Sequence, residues 1–203
     1  MPMKLDLGKT ELKINVSFAA VLTVMLILDE SCFSAVALLC CIAHEAGHII
    51  TLLILGERPK LIELSFYGIK LERELLRSNG SFGEMMVYLS GPAANFILSA
   101  AFFLLSKSFP NLFDAAKISL CVGAFNLIPC IPLDGGNLLL AFLCRLMSEK
   151  KAEKICSAVR FLLLLPMGTV GVFAMVKSGN FTLFGVTLYL ASIGVFNKKA
   201  ENK

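Results

Sequence analysis

Tryptophan is absent from this 203-residue chain, histidine occurs only twice, and charged residues make up 17% of it. Each shortage excludes something. Without tryptophan the chain lacks one of the usual anchors at a membrane–water interface. Two histidines cannot by themselves complete a catalytic zinc site, which takes three protein ligands. The seven cysteines contain no C-x-x-C pair and lie mostly in apolar runs, so no disulfide framework is implied and small, reduced or lipid-buried core residues are expected. Low-complexity tracts and internal repeats are missing as well. What is present is apolar: 57% hydrophobic types, with a mean hydropathy of +0.77. That is too apolar for a soluble domain of this size and fits a polytopic membrane protein. The net charge of +4 is no nucleic-acid signal; its placement reports topology instead.

Six apolar segments can be drawn, at about 14–28, 32–55, 85–106, 118–144, 161–176 and 181–196. The first, fifth and sixth are near or below the length needed to cross ~30 Å of hydrocarbon. The first follows Lys4, Lys9 and Lys13 as a signal peptide would, but it ends in Asp29-Glu30 without a small-residue cleavage site, so it reads as a retained span. With the N-terminus inside, every Lys and Arg except Lys107, Lys117 and Lys177 falls on the cytoplasmic side. The expected fold is therefore an all-α polytopic membrane protein of about six transmembrane helices, in the cell membrane, with both termini cytoplasmic. In the 57–84 segment, the stretch from Leu61 to Leu71 is rich in β-formers and partly alternating, and Gly68 suits a turn. A small cytoplasmic β-hairpin or an interfacial amphipathic loop is expected there. A single membrane-embedded domain over 1–203 leaves no room for an added soluble one.

Against this background the polar residues stand out. His44 and His48 lie four apart in Ala43-His44-Glu45-Ala46-Gly47-His48, inside the second apolar segment. On a helix both imidazoles project from one face and can bind one zinc ion. Glu45 is then placed to act as general base toward water at the metal. A charge at that depth costs about 2.5–3.5 kcal/mol or more, which something must offset. The third ligand must be a carboxylate or thiolate. Cys40 and Cys41 lie near the histidines, but Asp134 is the better candidate, as the only acidic side chain between Lys117 and Glu149. It sits in Asn126-Leu127-Ile128-Pro129-Cys130-Ile131-Pro132-Leu133-Asp134-Gly135-Gly136, where prolines and glycines break the helix. Such backbone is tolerated at membrane depth where it is buried in protein or lines a cavity. His48 and Asp134 would lie about 12 and 15 Å from the cytoplasmic ends of their spans, at one level. Zn²⁺ with ionised Asp134 and Glu45 sums to zero charge, the cheapest state in a low-dielectric interior.

These two motifs, with Gly91-Pro92-Ala93-Ala94-Asn95 between them, resemble the site-2 protease family of intramembrane zinc metalloproteases over a catalytic core of about 34–144. The compact layout is most similar to the branch containing the stage IV sporulation protein FB peptidase. No PDZ or CBS domain is expected. The resemblance implies one Zn²⁺ per protomer held by His44, His48 and Asp134, with Glu45 catalytic and Asn126 and Asn95 as motif asparagines. An amide in hydrocarbon must find partners. Asn126 suits a substrate backbone or oxyanion, and Asn95, carried as a second substrate-binding residue, also suits helix–helix hydrogen bonding beside small residues. The implied activity is hydrolysis of a peptide bond in or near the membrane segment of a membrane-associated protein, such as a sporulation sigma-factor precursor, under a membrane-embedded inhibitor or regulator. A divalent-metal permease and a catalytically silent client-binding relative are the alternatives. Nucleic acid is not an expected partner.

Overall fold

A computed structural model describes residues 3–6, 11–14, 23, 33–57, 59–65, 68–73 and 82–201. They are mostly helical and divide into two compact units, Met1–Phe125 and Asn126–Lys203. Most of the first apolar segment, 14–28, lies outside the described residues.

The first unit carries strands β1 (Met3–Asp6) and β2 (Glu11–Ile14), helix α1 (Phe33–Ile54), strands β3 (Pro59–Ser65) and β4 (Gly68–Arg73), and helices α2 (Phe82–Leu105) and α3 (Leu112–Asn126). The four strands form one sheet in chain order. β1 pairs antiparallel with β2, β2 runs parallel to β3 with Glu11 opposite Leu61, and β3 turns antiparallel into β4 with Ser65 opposite Gly68. A parallel pair needs a long crossover, and here α1 lies within it. The expectation of an all-α chain is corrected here: of the segment read as a lead-in to the first span, Met3–Asp6 pairs with Glu11–Ile14, and Glu11–Ile14 pairs with β3.

Helices α1 and α2 are built inside out relative to a soluble helix. The buried residues of α1 are Cys40, His44, His48 and Leu52, one ridge at spacing four. Large apolar side chains such as Leu39, Ile50 and Ile54 face outward. On α2 the buried set is Glu84, Val87, Gly91, Pro92, Asn95 and Ser99, again at spacings of one, three or four, while Ile97 is 72% exposed. Polar and small residues inward with large hydrophobics outward is the pattern of a helix whose outer solvent is lipid. Small residues let the two helices meet closely: a Cβ on Gly47 would stand 2.6 Å from the Ser90 carbonyl oxygen and 2.9 Å from Ala94 Cβ.

Two serine clamps hold α3 to α2. Ser99 Oγ–H donates to the Ala116 carbonyl at 2.8 Å, and Ser119 Oγ–H donates to the Asn95 carbonyl at 2.9 Å. Hydrogen bonds between membrane helices contribute about 0.6 kcal/mol each. The double variant Ser99→Ala/Ser119→Ala should therefore lose about 1 kcal/mol of unfolding free energy in detergent–denaturant titration; no change in the midpoint would remove the clamps from the stability of this unit.

In the second unit, a loop at 127–133 leads into α4 (Asp134–Leu146), followed by α5 (Glu149–Ser178) and α6 (Thr182–Glu201). The fourth apolar segment, 118–144, is thus not one continuous helix. It is interrupted at the proline-containing loop, and the 15- and 13-residue helices on either side reach about 22 and 20 Å. Helix α5 runs for 30 residues, so the basic cluster Lys150, Lys151, Lys154 and Arg160 lies on a helix rather than in a connecting loop. It ends at Gly179, whose left-handed φ of 68° suits a residue without Cβ and whose N–H caps the Met175 carbonyl. α5 and α6 then form a close hairpin: a Cβ on Gly171 would come within 2.9 Å of the Phe184 nitrogen. Phe161, Leu162 and Val176 project outward, the last 78% exposed.

Three described helices are long and apolar enough to cross a membrane: Phe33–Ile54, Phe82–Leu105 and Glu149–Ser178. They and the outward-facing side chains mark a membrane protein.

Candidate metal centre

The centre of α1 carries the histidine pair, both 4–5% exposed. Position 44 is the twelfth residue of a 22-residue helix, so the imidazoles lie well inside the span. Their rings stand edge to face, 84° apart with centroids at 4.9 Å, and their Nε2 atoms converge to 3.2 Å.

Hydrogen bonding fixes the outer nitrogens. His48 Nδ1 lies 2.7 Å from the Val87 carbonyl oxygen. A carbonyl only accepts, so His48 carries its proton on Nδ1 and leaves the Nε2 lone pair facing the centre. Ser90 Oγ–H donates to the same carbonyl at 2.7 Å and approaches His48 Nδ1 at 3.5 Å. His44 Nδ1 lies 3.1 Å from Asn95 Nδ2. Two ligands on tetrahedral zinc, at Zn–N distances of about 2.0–2.1 Å, place their nitrogens about 3.3–3.4 Å apart. The observed convergence fits a shared ion.

Gly91 forms the wall of this space. A Cβ built on it would collide with His48 Nε2, lying 2.6 Å from His48 Cε1 and 2.7 Å from His44 Nε2. Only a residue without a side chain can stand beside the two lone pairs. Asn95, one helical turn further along α2, is fully buried, and its side chain meets His44. Its Oδ1 is buried without a hydrogen-bond partner. Glu45 is half-buried and turned about 100° around the helix from His44. Cys40 is buried one turn before His44, and Cys41 is exposed; neither joins a metal-ligating group among the described residues.

In the second unit, Asp134 is the first residue of α4 and is half-buried. It does not cap the helix: the N-cap is Leu133, in extended conformation and without a side-chain cap bond. A carboxylate in this first turn is stabilised by the helix dipole. The loop before it is folded tightly on the helix start. Leu133 N–H donates to the Cys130 carbonyl at 2.8 Å, and Asn137 Nδ2–H donates to the Pro132 carbonyl at 3.2 Å. Gly135 and Gly136 permit this fold: a Cβ on either would strike backbone atoms of Leu127 and Ile128, or of Cys130 and Ile131. Asn126 is the half-buried last residue of α3, at the mouth of that loop.

Sequence reasoning missed the Val87 carbonyl and Ser90, since a backbone acceptor leaves no signature in residue types. Gly91 was legible only as a small residue in a helix interface, not as the wall of the histidine site.

A buried, convergent histidine pair inside an apolar helix can hold a metal ion, and comparison with known proteins finds zinc metalloproteases among the similar ones. Residues 108–167 match Peptidase family M50. A zinc metalloprotease of Methanocaldococcus jannaschii is 27% identical over 202 residues, covering 88% of this chain and 55% of that protein. A relative from Synechocystis sp. is 29% identical over 153 residues, covering 69% of this chain and 40% of its own length. The chain thus spans about half the length of the curated relatives it matches. Among solved structures, a site-2 protease from Methanocaldococcus jannaschii superposes with a TM-score of 0.69 at 25% identity, covering 94% of this chain and 92% of that one. The fold is site-2-protease-like.

Proposed function

We propose that this chain is an intramembrane zinc endopeptidase that cuts a membrane-associated protein substrate in or near its membrane segment. The observation that carries the reading is the 3.2 Å convergence of two buried Nε2 atoms in the middle of an apolar helix. His44, His48 and Asp134 would hold one zinc ion per protomer. Zinc, when bound, supplies Lewis acidity at the scissile carbonyl and acidifies water. The chain's own residues do the rest. Glu45 takes the proton of the attacking water and delivers it to the leaving amine. Asn126, at the mouth of the loop, offers its amide to the substrate backbone or to charge developing on the carbonyl oxygen. A substrate helix must unwind before attack, because its carbonyls are tied up in i→i+4 bonds. Gly, Pro or Asn near the cut site is therefore expected.

The finer reading keeps six spans with both termini cytoplasmic, supported by the distribution of Lys and Arg. The likeness of its motifs to the branch of the stage IV sporulation protein FB peptidase supports, as a finer reading, a sigma-factor precursor as substrate and a membrane-embedded regulator.

Glu45→Gln is expected to lower cleavage of a co-expressed membrane substrate by about 10²–10⁴-fold while zinc content stays at the wild-type level. Asp134→Ala should lose zinc. Near wild-type cleavage by Glu45→Gln would sink the protease reading, and unchanged zinc in Asp134→Ala would remove that residue from the ligand set.

A further inference from the structure

The amide of Asn95 is caught in a contradiction that only one arrangement resolves. Its Nδ2 faces His44 Nδ1 at 3.1 Å, and its Oδ1 is buried with no donor. That orientation makes Asn95 the donor, so the proton of His44 would sit on Nε2, pointing at His48 Nε2. A ring protonated there cannot ligate an ion through the atom that converges with its partner. The oxygen and nitrogen of an asparagine side chain occupy nearly the same space, so hydrogen bonding decides which of them faces the imidazole. Rotating the amide by half a turn puts Oδ1 against His44 Nδ1 and removes the orphaned acceptor. His44 then carries its proton on Nδ1, as His48 already does toward the Val87 carbonyl. Both Nε2 lone pairs face the space walled by Gly91.

We infer that Asn95 is a positioning residue: it accepts a hydrogen bond from His44 Nδ1–H and so fixes the tautomer and ring plane in which His44 can bind the ion. The inference rests on the zinc reading above and replaces a substrate-contact role for Asn95. The backbone of α2 supports it. Ser119 Oγ–H holds the Asn95 carbonyl, which anchors this turn of α2 to α3. Each histidine thus meets an uncharged oxygen acceptor on α2, at positions 87 and 95, two helical turns apart. Neutral acceptors orient both rings without adding a further charge to the low-dielectric interior.

Zinc titration of chelator-stripped, detergent-purified full-length chain tests this with Asn95→Leu and Asn95→Asp. Leucine keeps similar volume but accepts nothing; aspartate accepts but cannot donate. Loss of an outer-shell partner of a metal-bound histidine typically costs 10–100-fold in affinity. Asn95→Leu should therefore bind zinc about 10–100-fold more weakly, and Asn95→Asp should stay at or above wild-type affinity. Equal losses in both variants would show that the site needs the amide as a donor or as packing, and would overturn the inference. Wild-type affinity in Asn95→Leu would overturn it too. A readout on the unmutated protein guards against misfolding. With only two histidines in the chain, ¹⁵N-histidine labelling gives four ring nitrogens, and the zinc-loaded protein should show Nδ1 protonated on both rings. A His44 with bare Nδ1 would contradict the assignment. If the wild type takes up no zinc, the parent reading falls and this one with it; zinc uptake with indifferent Asn95 variants removes this one alone.

Discussion

Gly91→Ala is expected to weaken zinc binding severely without unfolding the helix that carries it. The added methyl would stand 2.6 Å from His48 Cε1 and 2.7 Å from His44 Nε2, closer than real Cβ atoms approach other groups. Neither ring can retreat freely, since His48 Nδ1 is held by the Val87 carbonyl and His44 Nδ1 by Asn95. Relief requires either swinging an imidazole off its partner or separating α1 from α2, and both spoil the convergence of the Nε2 atoms. Alanine is otherwise the better helix former, by about 1 kcal/mol over glycine, so lost helicity cannot explain a lost metal. The expected result is zinc affinity lower by about 100-fold or more, with cleavage lost in parallel and the far-ultraviolet circular dichroism unchanged. Zinc content equal to wild type would mean that Gly91 does not wall the site.

The second large effect is expected in the other unit, at Gly135. A methyl there would be driven into the carbonyl group of Leu127 and would stand 2.7 Å from the Ile128 carbonyl oxygen. These are backbone atoms of a loop that folds onto its own helix start, so no side-chain rotation relieves the clash. Overpacking of this kind costs about 1–3 kcal/mol, and the displaced element is the one that begins with Asp134. Gly135→Ala should therefore lower the thermal unfolding midpoint and reduce zinc retention together. Gly185→Ala supplies the control. That glycine lies in α6 with open space where a Cβ would stand, so the same substitution should be neutral or slightly stabilising. Equal behaviour of the two variants would refute the close-approach argument for the loop.

Part of the architecture was legible because it follows from short-range periodicity. Helices α1 and α2 fall within a few residues of the apolar segments at 32–55 and 85–106. The spacing of four between His44 and His48 dictated a shared face, and that face is the buried one. Other features were hidden for identifiable reasons. Hydropathy averages over a break, so 118–144 read as one span although Pro129, Pro132, Gly135 and Gly136 already marked the interruption that separates α3 from α4. Strands β1 and β2 are four residues each, and β2 pairs with β3 about fifty positions away. No local pattern encodes a partner at that distance. Likewise, the basic residues before the fifth apolar segment were legible only as a cytoplasmic piece, whereas α5 continues through them, since Lys and Arg are good helix formers.

The sequence by itself pointed to lipid as the solvent and to metal chemistry as the expectation. An apolar composition calls for lipid outside, and two histidines, one neighbouring glutamate and one aspartate in apolar segments call for a compensating function, because desolvation makes such groups expensive. Tertiary structure alone decided which nitrogen of each ring faces the other. That choice depends on the Val87 carbonyl and on the Asn95 amide, both delivered by a helix about forty to fifty residues further along the chain. Proton placement on an imidazole is set by what its far nitrogen touches, and contacts between distant segments exist only once the helices have packed.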